Sequence, residues 1–195
     1  MAPFSQPDWD ILLAGVAATP DDDLPRLVAA DWLDEHDESE RAEFIRLQCE
    51  LARGAVVDSS RLGAMRWREH ALLVSPTGGP LWAWEACPHI VKFELAKSSS
   101  PLRGIGLSGS ERVRFRRGFP EQLTCPATDW HLHGEGVVPR QPIHTLNLTR
   151  CDELPLEKWW HVLATLKLMR KVTIDGHRAF LAEWLRDRLL GVEIC

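Results

Sequence analysis

Apolar residues in the first part of the chain recur at spacings of three and four, the period of an amphipathic helix. Proline, glycine and acidic residues interrupt this pattern at short intervals. The pattern predicts four helices, which begin near Pro7, at Leu24, near Ser39 and near Ser59. We expect the third to run to Arg53, with Gly54 ending it, and the fourth to reach Val74 before the run SPTGGP at 75–80.

Acidic residues at the helix starts are predicted to satisfy free backbone N–H groups. Either Asp22 or Asp23 suits the N-cap of the second helix, with Pro25 in the first turn. Asp37 and Glu40 have the spacing of a capping box at the third helix. The predicted apolar face of the first helix holds Ile11, Leu12 and Val16, and the predicted core of the next two holds Leu27, Trp32, Phe44 and Leu47.

After residue 80 the helical period gives way to short runs in which apolar and polar residues alternate, as in strands. Three of these runs share the core spacing of a leucine-rich repeat. They are Ile143-x-x-Leu146-x-Leu148-x-x-Cys151, Met169-x-x-Val172-x-Ile174-x-x-His177 and Leu189-x-x-Val192-x-Ile194, with a weaker copy at Leu123 and Cys125. The positions Leu123, Leu146, Val172 and Val192 follow one another by 23, 26 and 20 residues, within the range of about 20–29 that such repeats use.

Helix-like stretches separate the last three runs, so the strands are expected to be parallel and joined by right-handed crossovers. The stretch from Thr124 to Pro142 is rich in proline and glycine, which argues against a helix there. We therefore predict an α+β protein in which a helical module, residues 1–80, precedes a short, irregular, leucine-rich-repeat-like strand and helix solenoid, residues 81–195.

The segment at 12–53 resembles the bacterial repeat-companion domain. The resemblance rests on the runs PDDD from Pro20, PRLV from Pro25, ADWL from Ala30, EH from Glu35 and RAEFIRLQ from Arg41. The strand FRRGFPEQL at 115–123 also resembles one that often follows this domain. Ala29 stands where the family commonly has an aromatic residue and Asp37 where it commonly has glycine. The resemblance implies company with leucine-rich-repeat-like segments, no enzymatic activity and no cofactor.

Composition and charge narrow the class of protein, its cellular compartment and its partners. No apolar run approaches the roughly 18 residues of a membrane helix, and residues 1–10 lack the basic and apolar parts of a signal peptide. Five scattered cysteines argue against a secreted disulfide framework, so the cytoplasm is expected.

Residues 1–60 carry 14 acidic and 4 basic side chains, whereas residues 61–195 carry 14 acidic and 19 basic ones. The two halves are expected either to dock on each other or to offer a basic face to an acidic partner.

The acidic stretch at 20–48 is a candidate metal or catalytic site because Asp31, Asp34 and Glu35 share one helix face near His36. The favoured alternative is a structural one, in which the carboxylates cap helices and pair with Arg26, Arg41 or Arg46. A zinc set of Cys125, His131, His133 and Cys151 lacks the usual ligand spacing. No nucleophilic triad and no phosphate-binding loop stands out, so no catalytic residue, metal or cofactor is predicted.

Two surfaces are candidates for binding a macromolecule. Alternation along ERVRFRRGF places Arg112, Arg114 and Arg116 on one strand face, with Arg117 beside them, which suits phosphate, an acidic protein or the chain's own acidic helices. The second surface is the sheet face away from the helices, which is predicted to be polar. Its central positions are Thr124, Asn147, Thr173 and Glu193, with Gln122, Thr145, Lys171, Thr149 and Asp175 as outer neighbours.

The function predicted from these features is a non-enzymatic interaction or scaffold protein that binds another protein through the repeat sheet. One alternative is an accessory subunit of a nucleic-acid complex that uses Arg112, Arg114, Arg116 and Arg117. A second alternative is a metal-dependent enzyme at Asp31, Asp34 and His36. No membrane and no small-molecule substrate is expected.

Overall fold

The chain combines helices with a mostly parallel sheet, which confirms the mixed α+β class. The computed structural model describes residues 7–55, 58–75, 77–90, 113–138, 141–175 and 179–195. These ranges contain eight α-helices and one five-stranded sheet. None of the helices within them is long and apolar enough to cross a membrane.

The first four helices follow the order predicted from the apolar spacing, and a fifth helix, which was not predicted, comes after them. They are α1 Pro7–Ala18, α2 Leu24–Glu35, α3 Ser39–Arg53, α4 Ser59–Val74 and α5 Gly79–Ala86. The bounds of α3 and α4 agree with the prediction, and Gly54 ends α3 in the left-handed conformation with φ of +65°. Asp58 caps α4 by accepting hydrogen bonds from the N–H groups of Ser60 and Arg61.

Helices α1, α2 and α3 pack around a core that differs in part from the predicted one. Trp9, Leu13 and Val16 form the buried face of α1, whereas Ile11 is 69% exposed, so its predicted burial is wrong. The spacing of four and then three from Trp9 sets this face, and Ile11 lies off it. In α2 the buried positions include Leu33, Ala29 and Ala30. The small side chains of the two alanines let the helices approach closely.

The predicted caps of α2 and α3 meet different outcomes. Asp22 accepts the N–H of Leu24 at 2.9 Å, while Asp23 has no capping bond and pairs with Arg53 instead. The capping box predicted at Asp37 and Glu40 is not formed, so that prediction is wrong. Glu38 occupies the N-cap position of α3 and makes no side-chain cap bond, because Asp37 turns the chain with φ of +63°.

We expect the change Asp37→Gly to stabilise the protein by about 0.5–1 kcal/mol, because glycine adopts a positive φ without steric cost. Urea unfolding of the purified variant measures this gain. The neighbouring change Glu38→Gly is the control, since Glu38 has φ of −100° and glycine offers no advantage there. Equal or lower stability of Asp37→Gly would contradict the strain at this turn.

The second part of the chain forms the sheet. Its elements are β1 Val113–Arg116, β2 Phe119–Pro126, α6 Ala127–Val137, β3 Thr145–Thr149, α7 Trp159–Leu166, β4 Lys171–Ile174, α8 Ala179–Arg186 and β5 Glu193–Ile194. The strands lie in sequence order, with β1 antiparallel to β2 and all later pairs parallel. The predicted parallel strands joined by helical crossovers are therefore present from β3 to β5, and β2 extends the parallel part of the sheet.

Helix α6 lies in the segment whose composition argued against a helix, so that expectation is wrong. Pro126 stands at its N-cap, where a proline costs no hydrogen bond. Gly134 lies against the ring of Trp130, and a Cβ there would come within 2.7 Å of that ring. The glycine thus makes room for a buried tryptophan, which donates its indole N–H to Thr165 at 3.0 Å.

Helix α5 packs on both parts of the chain. Trp82 lies against Phe44 of α3, with ring centroids 5.1 Å apart. Ala83, Ala86 and Cys87 belong to the core beneath the sheet. The domain boundary predicted between residues 80 and 81 falls inside this helix.

The turn between β1 and β2 inserts into the helical module. Both turn residues, Arg117 and Gly118, have positive φ, as a tight hairpin requires. Gly118 packs on Ile45 of α3 and donates its N–H to the side-chain oxygen of Gln48 at 2.7 Å. Phe119 is fully buried among α1, α2 and α3, 6.2 Å from the ring of Trp9.

Candidate functional site

The sheet has one apolar face and one polar face. Leu123, Leu146, Leu148 and Val172 are fully buried in the core shared with helices α6, α7 and α8. Side chains between them on each strand point the other way, because successive strand residues alternate. Asp175 and Glu193 of this polar face are exposed, and its other predicted members are half-buried: Gln122, Thr124, Thr145, Asn147, Thr149, Lys171 and Thr173.

Strand register arranges these polar residues in rows across the sheet. Thr124 pairs with Asn147, and Asn147 pairs with Thr173. Asn147 donates a hydrogen bond from Nδ2 to Thr124 Oγ1 at 3.2 Å. This central row is uncharged and presents both donors and acceptors, which suits hydrogen bonding to a protein partner.

The predicted place of Glu193 in the central row is wrong. Glu193 pairs with Lys171, which pairs with Thr145, so it belongs to the outer row that starts at Gln122. Ile194, and not Val192, is the partner of Val172. A turn lies between Leu189 and the strand, and Gly191 in this turn has φ of +87°. The sequence pattern does not reveal the turn, because Leu189, Val192 and Ile194 keep the same spacing as the earlier repeats.

The outer row ends in an ion pair. Lys171 Nζ lies 2.5 Å from Glu193 Oε1. The hydrogen bond from Lys171 lowers the pKa of Glu193, and the same contact raises the pKa of Lys171. At the opposite end of the face, β3 ends at Thr149, and the charged residue Asp175 directly follows β4. The N–H of Asp175 donates a hydrogen bond to Leu148 O at 2.8 Å. Charge therefore lies at the margins of the polar face.

The arginine strand contacts the protein's own acidic residues. Arg116 lies 3.7 Å from Asp21 and 3.4 Å from Glu121, and Arg117 lies 3.4 Å from Asp23. The side chain of Arg114 is exposed and makes no hydrogen bond or ion pair with any residue in the described ranges, and Arg112 lies outside those ranges. A hydrogen bond from Arg170, with further arginines nearby, lowers the pKa of Asp21.

A buried ionic centre joins the two parts of the chain, and sequence reasoning missed it. Glu121 accepts hydrogen bonds from Arg26 at 2.8 Å and from Arg116 at 3.4 Å, and His144 lies 3.1 Å away. Burial lowers the pKa of Arg26, and Glu121 opposes that shift. The available signal was strand parity, because Glu121 shares the inward face of Leu123 and a carboxylate there needs a partner.

The acidic cluster at 20–48 forms ion pairs. Arg46 binds Asp31 at 2.6 Å and Asp34 at 2.5 Å, as the structural alternative predicted. His36 directs Nδ1 to Trp32 O at 2.7 Å and stacks on the Trp32 ring. In the part of the chain that the structure describes, no group of three or more histidine, cysteine, aspartate or glutamate residues is placed to hold a metal ion.

The four residues weighed as a zinc set do not converge. Cys125 and Cys151 are buried in the sheet core. His131 lies beside His161, with ring centroids 6.0 Å apart, and His133 stacks on His89 at 5.0 Å. Burial, with Lys158 and His161 nearby, lowers the pKa of His131.

Comparison with protein-family models, with curated proteins and with solved structures finds no match.

Proposed function

We propose that this protein is a non-enzymatic interaction or accessory module that binds a protein partner through the polar face of its sheet. In this proposal residues 81–195 are a short leucine-rich-repeat-like solenoid, and the helical part is a module similar to the repeat-companion domain. The observation that carries the proposal is the aligned, half-buried and uncharged row of Thr124, Asn147 and Thr173.

Strand spacing supports the repeat-like assignment. The paired positions Leu123, Leu146, Val172 and Ile194 are separated by 23, 26 and 22 residues. These intervals lie within the range of about 20–29 residues that leucine-rich repeats use. Cys151, which follows β3, is fully buried and directs its thiol to Leu148 O at 3.3 Å, as expected for the asparagine or cysteine position of such a repeat.

The chemistry of the polar face supports a protein as the partner. Threonine hydroxyls and an asparagine amide both donate and accept hydrogen bonds, so they adapt to the main chain and the polar side chains of another protein. The central row has no net charge to attract a polyanion. Lys171 and Glu193 at the margin offer one charge of each sign, which favours a partner with its own paired charges.

We expect the changes Asn147→Arg and Thr173→Arg to abolish capture of the partner, because each places a long charged side chain in the middle of the binding face. Affinity purification of the tagged chain from its native host, followed by mass spectrometry, identifies proteins held by the unchanged chain. The control is Ala164→Arg, an exposed position on α7 at the helical side of the sheet. A partner retained equally by all three variants would remove the sheet face as the binding surface.

A further inference from the structure

A cleft lies where the β1–β2 hairpin meets helices α3 and α4. It measures about 280 Å³. Gln48 and Glu69 form one side, and Phe115, Arg116 and Arg117 form the other. Arg66 of α4 lies at the same cleft, so three arginines and one glutamate line it.

The single carboxylate of the cleft is already engaged. Glu69 Oε1 accepts a hydrogen bond from Gln48 Nε2 at 2.7 Å, and Gln48 Oε1 accepts the N–H of Gly118. This chain of bonds fixes Glu69 against α3. The side chain of Arg66 is exposed and makes no hydrogen bond or ion pair with any residue that the structure describes. The free capacity of the cleft is therefore that of a hydrogen-bond donor with positive charge.

Arg116 also keeps binding capacity. Its two carboxylate contacts, at 3.4 Å and 3.7 Å, are longer than the roughly 2.7–2.9 Å of a strong charge-assisted hydrogen bond. Half of its side chain is exposed. An anion in the cleft can thus bind Arg116 without breaking a short hydrogen bond.

From this arrangement we infer that the cleft binds the phosphoryl group of a phosphate monoester, with Arg66 and Arg116 as its main ligands and Arg117 contributing charge. A phosphate monoester carries about −1.5 to −2 charges and three acceptor oxygens, which matches several guanidinium groups better than a carboxylate does. The small volume suits one phosphoryl group, whereas a nucleic-acid strand needs a groove that follows several phosphates.

The proposal is tested by titrating O-phosphoserine and, separately, inorganic phosphate into the ¹⁵N-labelled full chain at pH 7.5 and constant ionic strength. We expect saturable shifts of the Gly118 amide and of the Arg66 and Arg116 side-chain Nε–H signals. Acetate serves as the carboxylate probe and is expected to bind at least about tenfold more weakly, because it has less charge and fewer acceptor oxygens.

The matched pair of variants is Arg66→Gln and Arg61→Gln, both exposed on α4 and equal in charge change. Arg61 pairs with Glu50 at 2.6 Å and does not line the cleft. Arg66→Gln is expected to weaken phosphoserine binding about tenfold, the size of one lost charged hydrogen bond. Arg61→Gln is expected to leave it unchanged.

Three results would overturn the proposal. The first is the absence of saturable shifts with both phosphate probes. The second is an equal loss of affinity in the two variants, which would mean diffuse attraction to surface charge. The third is tight binding of a single-stranded oligonucleotide that phosphoserine does not displace, which would assign the arginines to an extended polyanion.

Discussion

We expect the change Gly118→Ala to destabilise the protein by about 3 kcal/mol. The residue has φ of +86°, which costs an L-residue about 1–2 kcal/mol. An added Cβ would also lie 2.6 Å from the Cα of Ile45, and overpacking of this kind costs about 1–3 kcal/mol. Urea unfolding, followed by far-ultraviolet circular dichroism, measures the loss.

Gly54→Ala is the matched control for this prediction. Gly54 also has a positive φ, of +65°, but nothing lies within 4 Å of the position that a Cβ would take. Only the backbone cost remains, so we expect a loss of about 1 kcal/mol. Equal losses in the two variants would show that the space between the hairpin and α3 accepts a methyl group without cost.

The second large effect is expected at the buried ionic centre. Arg26→Met should destabilise the protein by about 3–5 kcal/mol, the range found when one partner of a buried pair is removed. The change leaves Glu121 with weaker partners and removes the donors that Arg26 gives to the carbonyls of Pro20, Arg116 and Arg117. Urea unfolding again supplies the free energy.

The control for this variant is Arg46→Met. Arg46 holds Asp31 and Asp34 at equally short distances, but the three side chains are between 39% and 71% exposed. Solvent screens such pairs, so a loss below about 1 kcal/mol is expected. If Arg26→Met cost no more than Arg46→Met, the buried pair of Arg26 and Glu121 would contribute no more to stability than a solvent-exposed pair does.

Local patterns in the sequence were enough to predict helices α1 to α4. The bounds of α3 and α4 follow from apolar spacing and from the residues that stop them, such as Gly54. The parallel strands β3 and β4 also follow from their repeated spacing. Each of these signals lies within one element, so no knowledge of distant contacts is needed.

Features that depend on packing between distant residues were not predictable in this way. Composition argued against α6 because its segment is rich in proline and glycine. The role of Gly134 is evident only when the Trp130 ring is placed against it. Glu193 lies in the outer row because of the turn at Gly191. This turn does not change the spacing of the apolar residues, so the sequence pattern does not predict it. Arg26 was expected to pair within the acidic stretch at 20–48, but its carboxylate partner, Glu121, lies 95 residues along the chain.

The insertion of the β1–β2 hairpin between the helices has a consequence for the order of folding. Helices α1 to α3 contact near neighbours in sequence, so they can assemble quickly. The bond from Arg26 to Glu121 spans 95 residues and that from Gly118 to Gln48 spans 70. Such long-range contacts form slowly because the intervening chain must first be closed. Until the hairpin arrives, the site of Phe119 stays open, and the nascent helical module exposes an apolar surface that the second half of the chain must cover.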